Sequence, residues 1–354
     1  MATNMATTNG NFVYNVNNTA TQVLAAKQVK ENLFVKLLHR NGKGITEKTE
    51  TNASSIRMFK VLPGGSKARE LGHATNGAFF NNSGAKITQV IEYDLNLLYL
   101  MDQVYDIPEV QQDMVAVNLF DETTKNIGGE NATAINASTI AIQLKAPFDK
   151  AKAATKWDGV AVLLGSTPKY AESFVEANAM LDEGDAENHI QSFPFEDRQA
   201  LITSDMRRGL MGNGQVLLGG SNFAQSMLAK GTLSPEDNKD FGDMYLGEID
   251  GVPVYFMPKA ILDEAKSWAG GAVTLDKVKG IVCAASATDR GISTQDYIKI
   301  TDSPDGAGKR LQPKTRWGVK VCYAKGIVPI LANGTAVPGS DITITAPGNV
   351  VVAG

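Results

Sequence analysis

Few side chains in this sequence are spaced for chemistry, and each candidate set lacks a member. Gly64–Gly65–Ser66–Lys67 resembles a phosphate-cradling loop, where backbone N–H groups and a lysine hold phosphate between a strand and a helix. Here Ser66 separates Gly65 from Lys67, Pro63 ends the preceding strand-like run, and no helical pattern follows, so the segment reads as a turn. Gly212–Asn213–Gly214 lacks the third glycine of a dinucleotide loop and follows a helical pattern where a strand is needed. His39, His73 and His189 are widely spaced, with no His or Cys at i+3 or i+4, whereas zinc needs three or four converging ligands. Asp182, Glu183, Asp185 and Glu187 surround Gly184 without the alternate acceptors of a calcium loop, and read as a solvated loop. Cys283 and Cys322 are too few for a disulfide framework and read as half-buried thiols in a reducing compartment. Neither a Gly-x-Ser-x-Gly elbow nor a His-Glu-x-x-His helix is present. The expectation is no catalytic, cofactor-binding or metal-ligating residue and no cofactor.

The composition points the same way. With 354 residues the chain can build one large domain or two smaller ones around a sizeable core. Its formal charge of −4, with both signs mixed along the chain, argues against tight nucleic-acid binding through clustered Lys and Arg. The local exception is residues 1–50, where Lys27, Lys30, Lys36, Arg40, Lys43 and Lys48 outweigh Glu31, Glu47 and Glu50. That segment suits a polyanion or a solvated helix face equally well. No run approaches the roughly 20 apolar residues that cross a bilayer, and Met1–Asn18 lacks the basic-then-apolar order of a secretion signal.

The elements follow in an unusual order. A small, polar arm covers the first 20 residues, and Gln22–Leu38 carries an amphipathic helical pattern stopped at Asn41–Gly44. Ile56–Leu62 is strand-like, and after a Gly- and Asn-rich excursion Lys86–Met101 alternates apolar and polar residues. As a single strand the latter would span roughly 50 Å, too long for a compact core, so it reads as a projecting hairpin arm. Pro108 is expected to open a long helix through Val110, Met114, Val117, Phe120 and Ile127, with Gly128–Gly129 as a kink or break and Pro147 as its end.

From Trp157 the pattern is mixed α/β. Ala200–Thr203 is a buried strand, Ser204–Asp205 caps a short helix over Met206–Met211, and Gly247–Met257 is a hairpin turning at Asp250–Gly251. Lys279–Ala285 is another buried strand. Ile292–Thr301 and Trp317–Ile330 read as a closing pair around a tip at Ser303–Gly308, and the tail from Asn333 ends in one more strand-like run. No repeat marks a solenoid or propeller.

Three segments carry a family resemblance. Pro194–Asp205 is similar to the strand-then-capped-helix unit of HK97-fold major capsid proteins of tailed phages. Gly247–Tyr255 is similar to that family's "Gly-hydrophobic-Pro-Val" hairpin, and Arg316–Val321 through Ile327–Pro329 resembles its closing strands. The resemblance covers about residues 20–335. It implies an α+β, HK97-like capsid fold with an N-terminal arm (1–50), an extended β-hairpin or E-loop (51–102), a peripheral domain with a long spine helix (103–150 and 292–325), and an axial domain with a C-terminal extension (151–291 and 326–354).

It further implies a non-enzymatic subunit assembling as hexamers and pentamers of itself into an icosahedral head shell around double-stranded DNA, without sequence-specific binding and without a membrane. The expected location is the virion capsid, assembled in the host bacterial cytoplasm, with portal and decoration proteins as further partners. Certain members carry a long scaffolding region before the arm; none is read here, so a separate scaffolding protein is expected. Others join a lysine to an asparagine between subunits, for which Lys60 or Lys67 is the candidate, although no motif marks either. Alternatives are an encapsulin-like nanocompartment shell, a cytosolic α/β enzyme and a DNA-binding protein.

Deleting Gly64–Ser83 at the hairpin tip is expected to leave a folded subunit that forms no closed shells by negative-stain electron microscopy. Normal shells from that deletion would remove the E-loop assignment.

Overall fold

The computed structural model describes residues 46–48, 55–62, 89–96, 98–101, 104–108, 119–188, 190–212, 245–270, 273–292, 298–303, 308–313, 315–338, 342–348 and 350–352. The expected arm and its helix at Gln22–Leu38, the hairpin tip and the Gly-rich span 213–242 lie outside them.

Its centre is one helix, α1 (Leu119–Ala154), 36 residues long and therefore about 54 Å from end to end. From Ala134 to Ala141 every residue is buried, so the helix there has no wet face. The sequence permits this because Ala134, Asn136, Ala137, Ser138, Thr139 and Ala141 are small. Sheets and helices approach closely on all sides, and the hydroxyls of Ser138 and Thr139 donate to the carbonyl of Ile135. The helix runs unbroken through Gly128–Gly129, and Pro147 lies inside it rather than at its end. Pro108 is the last residue of strand β5 (Tyr105–Pro108), opposite Gly308, and residues 109–118, over which the helix was expected to begin, lie outside the described ones. Helix α1 ends in a Schellman turn, with Lys156 N–H on the carbonyl of Ala151 and Thr155 N–H on that of Lys152. Thr155 takes the left-handed position of that turn at φ 55°.

Two sheets flank this axis. The larger has the order β6 (Val162–Leu163), β15 (Ile327–Leu331), β10 (Val278–Ala284), β7 (Arg198–Ile202), β9 (Val252–Phe256) and β8 (Tyr245–Ile249). β10 pairs antiparallel with both β15 and β7, and β7 runs parallel to β9. All five residues of β7 and of β15 are buried. Helix α2 (Tyr170–Asp182) packs on β15 and β10, while α1 packs on β15. Asp250 and Gly251 join β8 to β9 with φ of 52° and 72°, the two positive values a type I′ turn requires. Helix α3 (Ser204–Gly212) follows β7. Its capping position is Thr203, whose carbonyl accepts the Arg207 N–H, one residue ahead of the expected Ser204.

The second sheet has the order β1 (Thr46–Lys48), β11 (Thr288–Ile292), β14 (Arg316–Val321), β4 (Tyr99–Met101) and β16 (Val350–Val352). Trp317 of β14 is fully buried and donates its indole N–H to Ser138 of α1 at 2.9 Å. Its ring lies 5.9 Å from Tyr99 of β4 and 6.2 Å from Trp268 of helix α4 (Lys259–Trp268). Tyr99 meets Trp268 edge-on at 4.9 Å. This aromatic triad fastens both the sheet and α4 to the axis. The tail is held to the same place, through Thr345 N–H on the Trp268 carbonyl and Lys145 Nζ on the Ile342 carbonyl, both at 2.7 Å.

A three-stranded sheet, β12 (Ile298–Asp302), β13 (Gly308–Pro313) and β5, sits on Leu311 and Ile300. The expected closing pair is thus divided, with β11 pairing β14, β12 pairing β13, and β15 crossing to the larger sheet. The crossing is a short 3-10 turn, Ala324–Gly326, where a Cβ on Gly326 would lie 2.6 Å from that of Ala287. The expected long strand at Lys86–Met101 is likewise two strands. β3 (Gln89–Asn96) pairs with β2 (Ser55–Leu62) over eight residue pairs, from Ser55–Asn96 to Leu62–Gln89, while β4 belongs to the five-stranded sheet. The hairpin's strands therefore span roughly 26 Å rather than 50.

A threonine in left-handed backbone is strained, and only glycine avoids the clash of its branched Cβ. Thr155→Gly is expected to raise the unfolding free energy by about 1 kcal/mol in urea titration. An unchanged or lower midpoint would show that the α1 terminus is not strained.

Candidate assembly surface

The described residues hold no cluster of three or more His, Cys, Asp or Glu able to bind a metal ion, and none of their helices is long and apolar enough to cross a membrane. His39, His73, His189 and Gly64–Lys67 lie outside those residues, as do Asn213 and Gly214. The acidic cluster is not a solvated loop throughout. Asp182 accepts from Arg198 Nη2 at 2.5 Å, and Asp185 is 1% exposed, accepting from Asn188 Nδ2 and the Glu187 N–H to hold a tight turn. Gly184 at φ 64° permits that turn, since a Cβ would lie 2.3 Å from the Ile190 carbonyl oxygen. Burial pushes the Cys283 thiol up to about 12, which removes it as a nucleophile at neutral pH. Cys322, half-buried, donates to Asp289.

What the chain presents instead is structure that it does not itself cover. Among the described residues the β2–β3 hairpin forms a two-stranded sheet by itself, and β3 lies against β14. Among the described residues β16 is an edge strand of its sheet and carries Val352 at 52% exposure; Leu98 and Val104, on either side of its partner β4 in sequence, are also exposed. On the other sheet, Leu163 of edge strand β6 is exposed, as is Phe195 just ahead of β7. Phe195 is held in place from beneath. The buried Arg198 guanidinium lies 4.0 Å under its ring and donates to Phe193 O, Asn178 O and Asn178 Oδ1. One arginine thus fixes the loop from Ser192 to Asp197 against α2. A charge at the start of a strand gives no sign of this in sequence, because its partners lie on another element.

A groove of about 560 Å³ runs between α1 and α4. Lys125, Gly129, Glu130 and Thr133 line one wall, and Pro258, Ile261 and Glu264 the other. Gly129 leaves it open, since a Cβ there would meet nothing within 4 Å. Two carboxylates face this space. Glu130 Oε2 accepts a hydrogen bond from Tyr105 of β5, and burial, with help from that pairing, holds the Tyr105 phenol well above its usual range. Glu264 is half-buried; burial first and the charge of Glu130 second raise its pKa. Lys125 does not neutralise them, because its ammonium is bonded to Glu122 at 2.7 Å.

In three dimensions the chain is similar to three head or capsid structures. For the acidic stable capsid of Helicobacter pylori bacteriophage KHP30 the TM-score is 0.53 at 12% identity, covering 85% of this chain and 90% of that one. For the head structure of Helicobacter pylori bacteriophage KHP40 it is 0.52 at 12%, covering 86% and 90%. For the capsid of Ralstonia phage GP4 it is 0.51 at 10%, covering 84% and 88%. No protein-family model matches the sequence, and no curated protein matches it. At such identities the likeness is one of fold, and that fold is the α+β, HK97-like capsid fold expected from the sequence.

A carboxyl whose folded pKa is raised binds its proton more tightly when folded, so its contribution to stability is present below the ordinary Glu range and lost as pH rises through the raised value. Glu264→Gln removes that loss. The unassembled variant is expected to melt above the parent at pH 7, with the gap closing towards pH 4. An equal gap at both pH values would mean that Glu264 is not destabilised by its charge.

Proposed function

We propose that this chain is the structural subunit of an icosahedral head shell that encloses the double-stranded DNA of a tailed phage. One observation carries the reading: the three similar capsid structures each correspond to 84–86% of this chain and 88–90% of their own. The correspondence therefore spans a whole subunit rather than a shared module. Fold alone does not imply function, so the support has to come from what the chain exposes. An extended hairpin, open sheet edges and exposed apolar side chains at those edges are costly on a free monomer. They are useful where many copies interlock, since weak contacts repeated around a closed shell add up.

In this reading residues 1–50 act as an arm, 51–102 as the E-loop, 103–150 with 292–325 as the peripheral domain around the spine helix α1, and 151–291 with 326–354 as the axial domain. The partners are further copies as hexamers and pentamers, a separate scaffolding protein, a portal and decoration proteins. DNA is enclosed by confinement rather than sequence-specific contact, which suits a chain of net charge −4. The role is structural rather than enzymatic. The site of action is the virion, with assembly in the host bacterial cytoplasm.

Negative-stain electron microscopy of the chain expressed alone, then with the neighbouring genes of its source, tests the proposal. Closed shells several hundred ångströms across, filled with nucleic acid when co-expressed, are expected. A monodisperse small species in both cases would overturn it, and shells packed with a cargo protein would reassign the chain to a nanocompartment.

A further inference from the structure

We propose that the α1–α4 groove receives a basic side chain from the segment Lys27–Lys43 of a second copy of this chain, seated between Glu130 and Glu264; this rests on the shell reading above. Three observations meet here.

The first is the groove itself. It is open at Gly129 and lined at both walls by carboxylates, with no cation within ion-pair distance of either among the described residues. Glu130 still has acceptor capacity, because a carboxylate offers about four lone-pair positions and Tyr105 takes one. An ammonium brings three donors and is suited to bridging two carboxylates, while a guanidinium spans them in its plane.

The second is how charge divides along the chain. Of its 34 Lys and Arg and 38 Asp and Glu, residues 1–43 hold five of the former and only Glu31 of the latter. That segment is cationic by four and the remainder anionic by eight. The cations are Lys27, Lys30, Lys36, Arg40 and Lys43. Identical copies therefore carry a basic end and an acidic body, complementary in a head-to-tail contact.

The third is cost. Burial first, and the charge of the exposed Glu130 second, disfavour the Glu264 carboxylate in the free subunit. A cation arriving from a neighbour replaces the repulsion from Glu130 with attraction at a half-buried carboxylate, where screening is weaker than at an exposed ion pair. With Gln22–Leu38 helical and the residues after it extended, the stretch between Lys27 and Thr46 reaches up to about 40 Å.

The test uses shells assembled from equal amounts of ¹⁵N-labelled and unlabelled full-length chain. They are treated with a carbodiimide, which joins a carboxylate to an amine only where the two touch, and the linked peptides are read by mass spectrometry. An amide between Glu130 or Glu264 and one of Lys27, Lys30, Lys36 or Lys43, found in mixed-isotope pairs, is expected. It should be lost in shells of Glu130→Gln/Glu264→Gln. Links found only within one isotope would place the segment on its own chain and overturn the proposal. So would intact shells without these links, including shells in which those lysines are shielded only when DNA is packaged; the shell reading would then stand. Absence of shells under every condition would remove both readings.

Discussion

Helix α1 is buried on every side along its middle, and the rest of the subunit follows from that constraint. A helix without a wet face must be surrounded, and one built from Ala, Ser, Thr and Asn leaves room for backbones to come close. β15 packs against it from the larger sheet and β14 from the smaller, and α4 packs on it too, contributing Trp268 to the aromatic triad. Polar atoms on the axis make the arrangement specific. Ser138 takes the indole N–H of Trp317, Gln143 donates to Thr288, and Asn131 donates to Thr315, each joining residues more than a hundred positions apart. A purely apolar axis would pack equally well in several rotations; these bonds select one.

The α1 rod is about 54 Å long, and the β2–β3 hairpin forms a two-stranded sheet of its own beside the sheets packed on it. Among the described residues, the β2–β3 pair meets the rest of the chain mainly where β3 lies against β14. Isolated two-stranded hairpins are marginal in water, so the packing of β3 on β14 matters to this one, and further contacts would add to it. The same holds for the outer edge of β16, where Val352 has no cover. In the proposed shell, association with further copies is what covers the hairpin and the open edges.

Local features were legible where the physics is local. The Asp250–Gly251 turn, the buried run of β7 and the terminal strand β16 stand where their residues put them. The Gly-Gly pair was ambiguous because propensity alone argues for a break of about 1 kcal/mol per glycine, whereas tertiary burial of Gly128 outweighs it. Pro147 misled for a related reason: within a long, packed helix the cost of one missing N–H is absorbed. Alternation across Lys86–Met101 concealed a change of sheet, since the apolar residues keep to odd positions through both β3 and β4 while the two strands pair with different partners. Arg198 and the Glu130–Glu264 pair were illegible in sequence, because each depends on elements distant along the chain.

The groove shows why such a pair survives. A half-buried carboxylate facing another is a liability to an isolated subunit, and a neutral side chain at position 264 would pack as well. Natural proteins keep destabilising polar groups where the gain is realised in another state. In the proposed shell that state is the assembled one, in which the proposed cation from a neighbour turns repulsion into attraction. The stability of the monomer and the strength of the contact are then opposed at one residue. A subunit that is easier to unfold alone is more strongly held once enclosed by its neighbours. Because Glu264 is partly screened from solvent, salt weakens this contact less than it weakens the surface pairs at Glu122 and Lys125.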